Sequence, residues 1–260
     1  MSAFNNERGD ILEGLLKNIL VLLIVVVGGY FLIGAVVDNV VIRIPVSIEK
    51  EIFSGSEFGI DSGKSDVAKS EMYEITKAES ILKKIASDES VPRLEYRLFV
   101  MDDKQPNAVA VPGGGIGVTR GLLNVLDEDI ALAFVLGHEL GHFKNRDHLK
   151  GIGRSFGVQL LLTYFMGESD IGRVISEKTT LLMQRKYSRQ QEEKADKYGL
   201  LLVYKAYGDV KGTTKLFEIL KDAKTTPQWA YMLSTHPSPE SRIENMEKYS
   251  VELKSNSNME

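Results

Sequence analysis

Residues 130–143 read IALAFVLGHELGHF, an apolar run that carries two histidines, one glutamate and two glycines. Ile130, Ala131, Phe134, Val135, Leu136, Leu140 and Phe143 fill the surrounding positions of a helix. Residues four apart stand about 40° apart around that helix, so His138 and His142 project from one face. Two imidazole nitrogens at this spacing can grip a tetrahedral zinc. Glu139 stands about 100° round, beside the metal rather than on it, where it can take a proton from an activated water. Gly137 and Gly141 each weaken a helix by about 1 kcal/mol relative to Ala. Their presence predicts close approach of another backbone or of substrate. The H-E-x-x-H pattern by itself is moderately specific, the alternative being two surface histidines on a helix.

The rest of the 260-residue chain narrows the choice. Its length suits one domain plus an anchor. With 43% hydrophobic and 26% charged residues it is not a disordered chain. A net charge of −4 argues against a nucleic-acid binder, which needs a basic face. There is no cysteine, which excludes disulfides, thiolate nucleophiles and cysteine metal ribbons. Three of the four histidines, 138, 142 and 148, fall in one short stretch; the fourth is His236.

Working outward, Ile19–Val37 is an uncharged apolar run of 19 residues, long enough to cross a bilayer as one helix. It divides the chain into an N-terminal tail (1–18), a transmembrane helix (19–37), a connector (38–70), a metal-binding domain (71–250) and a flexible tail (251–260). Arg8 and Lys17 before the span give a slight preference for a cytoplasmic amino end, which places the bulk of the chain outside the cytoplasm. Periodicity predicts an amphipathic helix over 71–87 and strands over 94–101, 107–111 and 115–119, the last two separated by Pro112-Gly113-Gly114. From Asp127 onward the chain reads as helical, with Phe156–Met166 a buried helix too short to span. The fold class is α+β, mostly helical, with a small β-sheet behind one transmembrane helix.

A catalytic zinc needs a third protein ligand, and two residues compete. One is His148. The string from His138 then reads H-E-x-x-H-x-x-N-x-x-H, with Asn145 at the point where the helix must break into a left-handed turn. The other is Glu192, in Ser188-Arg-Gln-Gln-Glu192-Glu-Lys-Ala-Asp196. On a helix Glu192 and Asp196 share a face, so Glu192 could ligate while Asp196 orients a ligand histidine through its far nitrogen.

Four segments occur in order: Asn107–Leu123, Gly137-His-Glu-Leu-Gly-His142, Ser188-Arg-x-x-Glu-x-x-Ala-Asp196, and His236-Pro followed by Arg242-Ile243. Over residues 45–248 the chain resembles the HtpX and CAAX-prenyl-protease family of zinc metallopeptidases. The resemblance implies a zincin-like fold of the gluzincin kind, with His138, His142 and Glu192 as zinc ligands, Glu139 as general base and Asp196 in support. It also places the His236 segment near the zinc, as a polarising group or a cap on the metal, with Arg242 positioning that loop. A single span distinguishes this chain from the multispan members and makes prenylated substrates a poor fit.

The expected activity is peptide-bond hydrolysis on unfolded or extended polypeptide, in protein quality control at a bacterial inner membrane. Strand Gly115–Thr119 is expected to offer its edge to substrate. Two other readings stand: a metzincin-like protease using His148, and a membrane-tethered chaperone or assembly factor with a structural zinc closed by His236. Oligomeric state is not legible.

Overall fold

An apolar helix with no polar face folds only if other elements cover it on all sides. In the computed structural model, which describes residues 2–53, 69–166, 187–222, 236 and 239–257, the helix carrying the two histidines has that environment. It is α5 (Asp129–Lys144), and every residue from Ala131 to Phe143 is buried. Before it come α1 (Ser2–Val41), α2 (Val46–Phe53), α3 (Lys69–Ala86), strands β1 (Arg97–Met101), β2 (Ala108–Val111) and β3 (Gly115–Thr119), and α4 (Arg120–Val125). After it come α6 (Asp147–Met166), α7 (Arg189–Tyr207), α8 (Lys215–Asp222) and α9 (Pro239–Ser257). The described chain is thus mostly helical with one small sheet, and it divides into two units.

The larger unit holds residues 44–151 and 170–260. There α5 packs on α7, α3 and β2, while α9 packs on α7 and α8. Of the periodic apolar residues of the predicted amphipathic helix α3, Ala78, Leu82 and Ile85 are buried in this core, Ile75 packs partly buried against it, and Met72 is exposed. Local chemistry sets the ends of α7. Ser188 and Gln191 form a reciprocal capping box, and Gly208 closes the helix in a left-handed conformation, φ 74°. Helix α9 runs on to Ser257, past position 250; Leu253 packs on the core and Lys254 Nζ stands 3.1 Å from Asp209.

The sheet order is β1-β3-β2, with β3 parallel to β1 and antiparallel to β2. Gly113 and Gly114 make the β2–β3 turn at φ 84° and 96°, values that favour glycine. This order corrects one expectation. Gly115–Thr119 is the central strand: Val118 lies opposite Val100 on one side and Ala108 on the other, so β3 has no free edge. A strand that follows a hairpin can still be central when an earlier strand pairs in parallel on its far side, and local pattern does not encode that partner. Among the described residues the sheet edges belong to β1 and β2.

The smaller unit holds residues 1–43 and 152–169. Its α1 contains Glu13–Val41, a stretch long and apolar enough to cross a membrane, with large hydrophobic side chains such as Leu22, Phe31 and Leu32 exposed. Alongside it, α6 places Gly153 against Val37 and Gly157 against Ile33, so the two helices run antiparallel. Arg154 Nε donates to Asp38 at 3.0 Å within the same pair. The backbone of Phe156–Met166 is helical, as expected; the expected burial of its side chains lies outside the described residues.

Candidate metal centre

Helices α5 and α7 cross at four small residues. A Cβ built on Gly141 would stand 2.7 Å from the Ala195 Cα, and one built on Gly199 would stand 2.9 Å from the His138 backbone nitrogen. A Cβ built on Gly137 would stand 3.1 Å from the Gly199 Cα. The glycines of the motif therefore admit another backbone, one of the two reasons their presence suggested. Ala195 and Gly199 repeat the same four-residue spacing on α7. Because they sit in the crossing, Glu192, a turn earlier, reaches over the two histidines.

Four donor atoms converge there, from His138, His142, Glu192 and His236, all within 4.8 Å of one another and all on buried residues. His138 Nε2 and His142 Nε2 are 3.1 Å apart, and His138 Nε2 and His236 Nδ1 are 3.4 Å apart. Glu192 oxygens stand 3.6 Å from each of the two Nε2 atoms and 3.0 Å from His236 Nδ1. Four ligands about 2.0–2.1 Å from one ion sit at tetrahedron corners about 3.3 Å apart. The donor set fits zinc in both chemistry and spacing.

Each motif histidine has a carboxylate on its far nitrogen. His138 Nδ1 lies 2.9 Å from Asp196 Oδ1, and His142 Nδ1 lies 3.1 Å from Asp147 Oδ2. Such pairs turn each Nε2 lone pair toward the common point. Arg242, at the start of α9, donates to Asp196 Oδ2 through Nε at 2.8 Å and to Oδ1 through Nη2 at 2.6 Å. Its Nη1 is 2.7 Å from Glu192, and its guanidinium lies 4.5 Å from the Phe217 ring centre. It holds two carboxylates of the centre. Tyr187 stacks on the His142 ring at 3.7 Å.

These neighbours set the charges. Burial pushes His138 down, and the Arg242 charge adds to it, outweighing the pull of Asp196 and Glu192; the result is a neutral imidazole with a lone pair to offer. For Glu192 burial acts upward, but the His236 and Arg242 charges win and hold the carboxyl well below its ordinary value. Asp196 is likewise lowered, burial being outweighed by Arg242 and then His138. Burial lowers His236, and the charge and hydrogen bond of Glu192 reverse that.

Glu139 is buried beside this group, and among the described residues its Oε2 has no hydrogen-bond partner. A buried carboxylate oxygen left unpaired is costly and calls for an explanation. It borders a narrow cleft lined by Ala108, Phe134, His138, Leu216, Phe217 and His236, among others. The edge strand β2 supplies Ala108.

The structure therefore brings together His138, Glu139, His142, Glu192, Asp196, His236 and Arg242. It sets His148 elsewhere: Nε2 is 2.8 Å from Glu49 and Nδ1 is 3.4 Å from the His142 carbonyl. The left-handed residue after α5 is Arg146, φ 59°, while Asn145 is right-handed at φ −86°. Sequence reasoning missed Asp147, Tyr187 and Glu49. Asp147 had only its nearness to His142 to mark it, and the other two had no signal.

Two histidines one turn apart on a buried helix, a carboxylate on the helix that crosses it, and a small mixed sheet alongside define a zincin-like protease domain. The model of Peptidase family M48 matches residues 74–250, and the chain belongs to that family. It is 30% identical to the mitochondrial metalloendopeptidase OMA1 of Schizosaccharomyces pombe over 65% of this chain and 51% of that one. It is 28% identical to the putative beta-barrel assembly-enhancing protease of Vibrio cholerae serotype O1, over 61% of this chain and 34% of that one. With the protease HtpX homolog of Acidiphilium cryptum it shares 29% identity over 54% of this chain and 58% of that one. The chain thus spans between about a third and three-fifths of the length of these relatives.

Proposed function

We propose that the chain is a membrane-anchored zinc endopeptidase in which His138, His142 and Glu192 hold the metal and Glu139 is the general base. The observation that carries this reading is the Glu139 Oε2, unpartnered among the described residues, beside four converging donors. When bound, zinc supplies Lewis acidity, which brings the pKa of a coordinated water toward about 7. Glu139 Oε2 takes the proton from the attacking water and returns it to the amine nitrogen as the C–N bond breaks. Asp196 and Asp147 keep the imidazoles aimed, and Arg242 balances Glu192 and Asp196. His236 donates to the developing oxyanion once it has moved off Glu192.

Substrate enters as an extended strand. Edge strand β2, with Ala108 at the cleft, offers a backbone to pair with, a mode that reads backbone more than side chains. That suits unfolded polypeptide and a role in protein quality control. The apolar stretch of α1 is the anchor in the lipid bilayer, a bacterial inner membrane, with the peptidase outside the cytoplasm.

The test is Glu139→Gln. We expect it to keep zinc at wild-type stoichiometry and to cleave nothing; retained cleavage removes Glu139 from the mechanism. A second reading draws on His236 as a fourth donor. Four protein ligands close a zinc site, as a latent enzyme or a tethered chaperone or assembly factor with structural zinc requires. His236→Ala separates the cases: lower turnover with zinc kept fits the oxyanion role, higher turnover fits latency, and loss of zinc fits a structural site.

A further inference from the structure

Glu49 is a buried carboxylate far in sequence from every motif. It stands on α2, eight residues after the end of α1, and is 2% exposed. Its Oε1 accepts from the Gly113 N–H at 3.2 Å and meets His148 Nε2 at 2.8 Å; its Oε2 accepts from Arg146 Nη1. Arg146 Nη2 donates back to the Ile44 carbonyl at 2.9 Å, so the pair closes on the segment that carries Glu49.

Arg146 is the residue at φ 59°, the one non-glycine with positive φ among the described residues. Side chains larger than glycine rarely hold that conformation unless their surroundings fix it. Here the Arg146 side chain is tied at both ends of its guanidinium while its backbone makes the break between α5 and α6. The next residue is Asp147, whose Oδ2 meets His142 and whose Oδ1 accepts from Gln191 at the start of α7, at 2.9 Å. The residue after that, His148, meets both Glu49 and the His142 carbonyl. Three consecutive residues thus connect Glu49 to a histidine of the metal centre.

We propose that Glu49 is a positioning residue: by holding Arg146 left-handed it sets Asp147 against His142, so α2 belongs to the peptidase machinery. The proposal rests on the peptidase reading given above and extends it to a segment outside the 74–250 family match. It also gives displacement of residues 44–53 a route to the metal.

The test uses the full-length protein in detergent micelles, well below its melting temperature. Glu49→Gln keeps side-chain shape and an acceptor for Gly113 but removes the charge that binds Arg146. Zinc affinity is read by competition with a chromophoric chelator, and kcat and KM on fluorescein-labelled casein. The expected result is zinc bound roughly 10-fold more weakly, the lower end for loss of a group that orients a ligand, with kcat reduced and KM little changed. Adding Arg146→Gly should restore most of the affinity and kcat, since glycine adopts the left-handed conformation unaided. A merely structural Glu49 predicts no such rescue. Wild-type affinity and kcat in Glu49→Gln would overturn the proposal, as would a loss that Arg146→Gly leaves unchanged. If the wild type binds zinc but does not cleave casein, the peptidase reading loses its support while the affinity comparison still decides Glu49.

Discussion

His138 and His142 sit one turn apart and face the same point, yet they are held by two different constructions. His138 leans on Asp196, which arrives on α7 with Glu192 and is braced by Arg242. Its support is a long-range crossing of two regular helices. His142 leans on Asp147, five residues further along the same chain, past a left-handed break whose geometry is fixed from α2. Its support is local in sequence but depends on an irregular backbone. Regular helices announce their faces through spacing. An irregular turn does not, because its geometry comes from whatever grips it.

The largest expected effect breaks the first construction alone. Gly141→Val must push α7 away, because the atom it meets is the Ala195 backbone at 2.7 Å. We expect destabilisation of about 3 kcal/mol or more, with zinc lost, read by thermal melting and metal analysis. Normal zinc content in a cooperatively folded Gly141→Val variant would show that the crossing does not set the site.

Next come the two orienting carboxylates. Asp196→Asn and Asp147→Asn should each weaken zinc by about 10- to 100-fold. Asp196→Asn should also lower stability, by about 3 kcal/mol, because Arg242 is buried and loses its bidentate partner while keeping Glu192. Chelator competition and melting of the two variants side by side measure the difference; equal melting temperatures would erase the proposed asymmetry.

The legible part of the fold follows the same division. The strands and the amphipathic helix were readable because each repeats its own period, and Glu192 and Asp196 because four residues on a helix make one face. The place of β3 was not, since its parallel partner β1 is far along the chain. Nor was the role of Glu49, one of two acids on an eight-residue helix, whose partners among the described residues lie at 113, 146 and 148. His148 looked like a ligand by spacing alone; what removes it from the group is Arg146, not Asn145, taking the left-handed turn.

A pH series sharpens the second construction. Burial raises the Glu49 carboxyl, but His148, the Gly113 N–H and Arg146 outweigh it and hold Glu49 below its ordinary value of 4.5. Its contribution to stability is therefore full above that value and is lost as the pH falls through the lower folded one. The stability difference between wild type and Glu49→Gln should shrink as the pH falls below 4.5 in denaturant titrations. A difference that grows below pH 4.5 would contradict the sign.

The smallest effect lies at the far end of α7. Lys205 Nζ meets Asp88 at 2.8 Å, and Lys205 is half exposed. Burial opposes ionisation of Asp88, but Lys205 and Ser90 together outweigh it and bring its carboxyl down to about 2. Lys205→Ala should cost about 0.2–1 kcal/mol and leave zinc affinity untouched, since it lies outside the crossing. Weakened zinc in that variant would mean that strain travels along the whole helix.

The central claim is that the crossing of α5 and α7 makes Glu192 the third protein ligand of a zinc ion. Metal analysis of purified wild type and Glu192→Gln tests it most directly. The account predicts about one zinc per chain in the wild type and its loss from the variant, with the fold kept by circular dichroism. A Glu192→Gln protein that stays folded and fully loaded with zinc would contradict it and make His236 the third protein ligand.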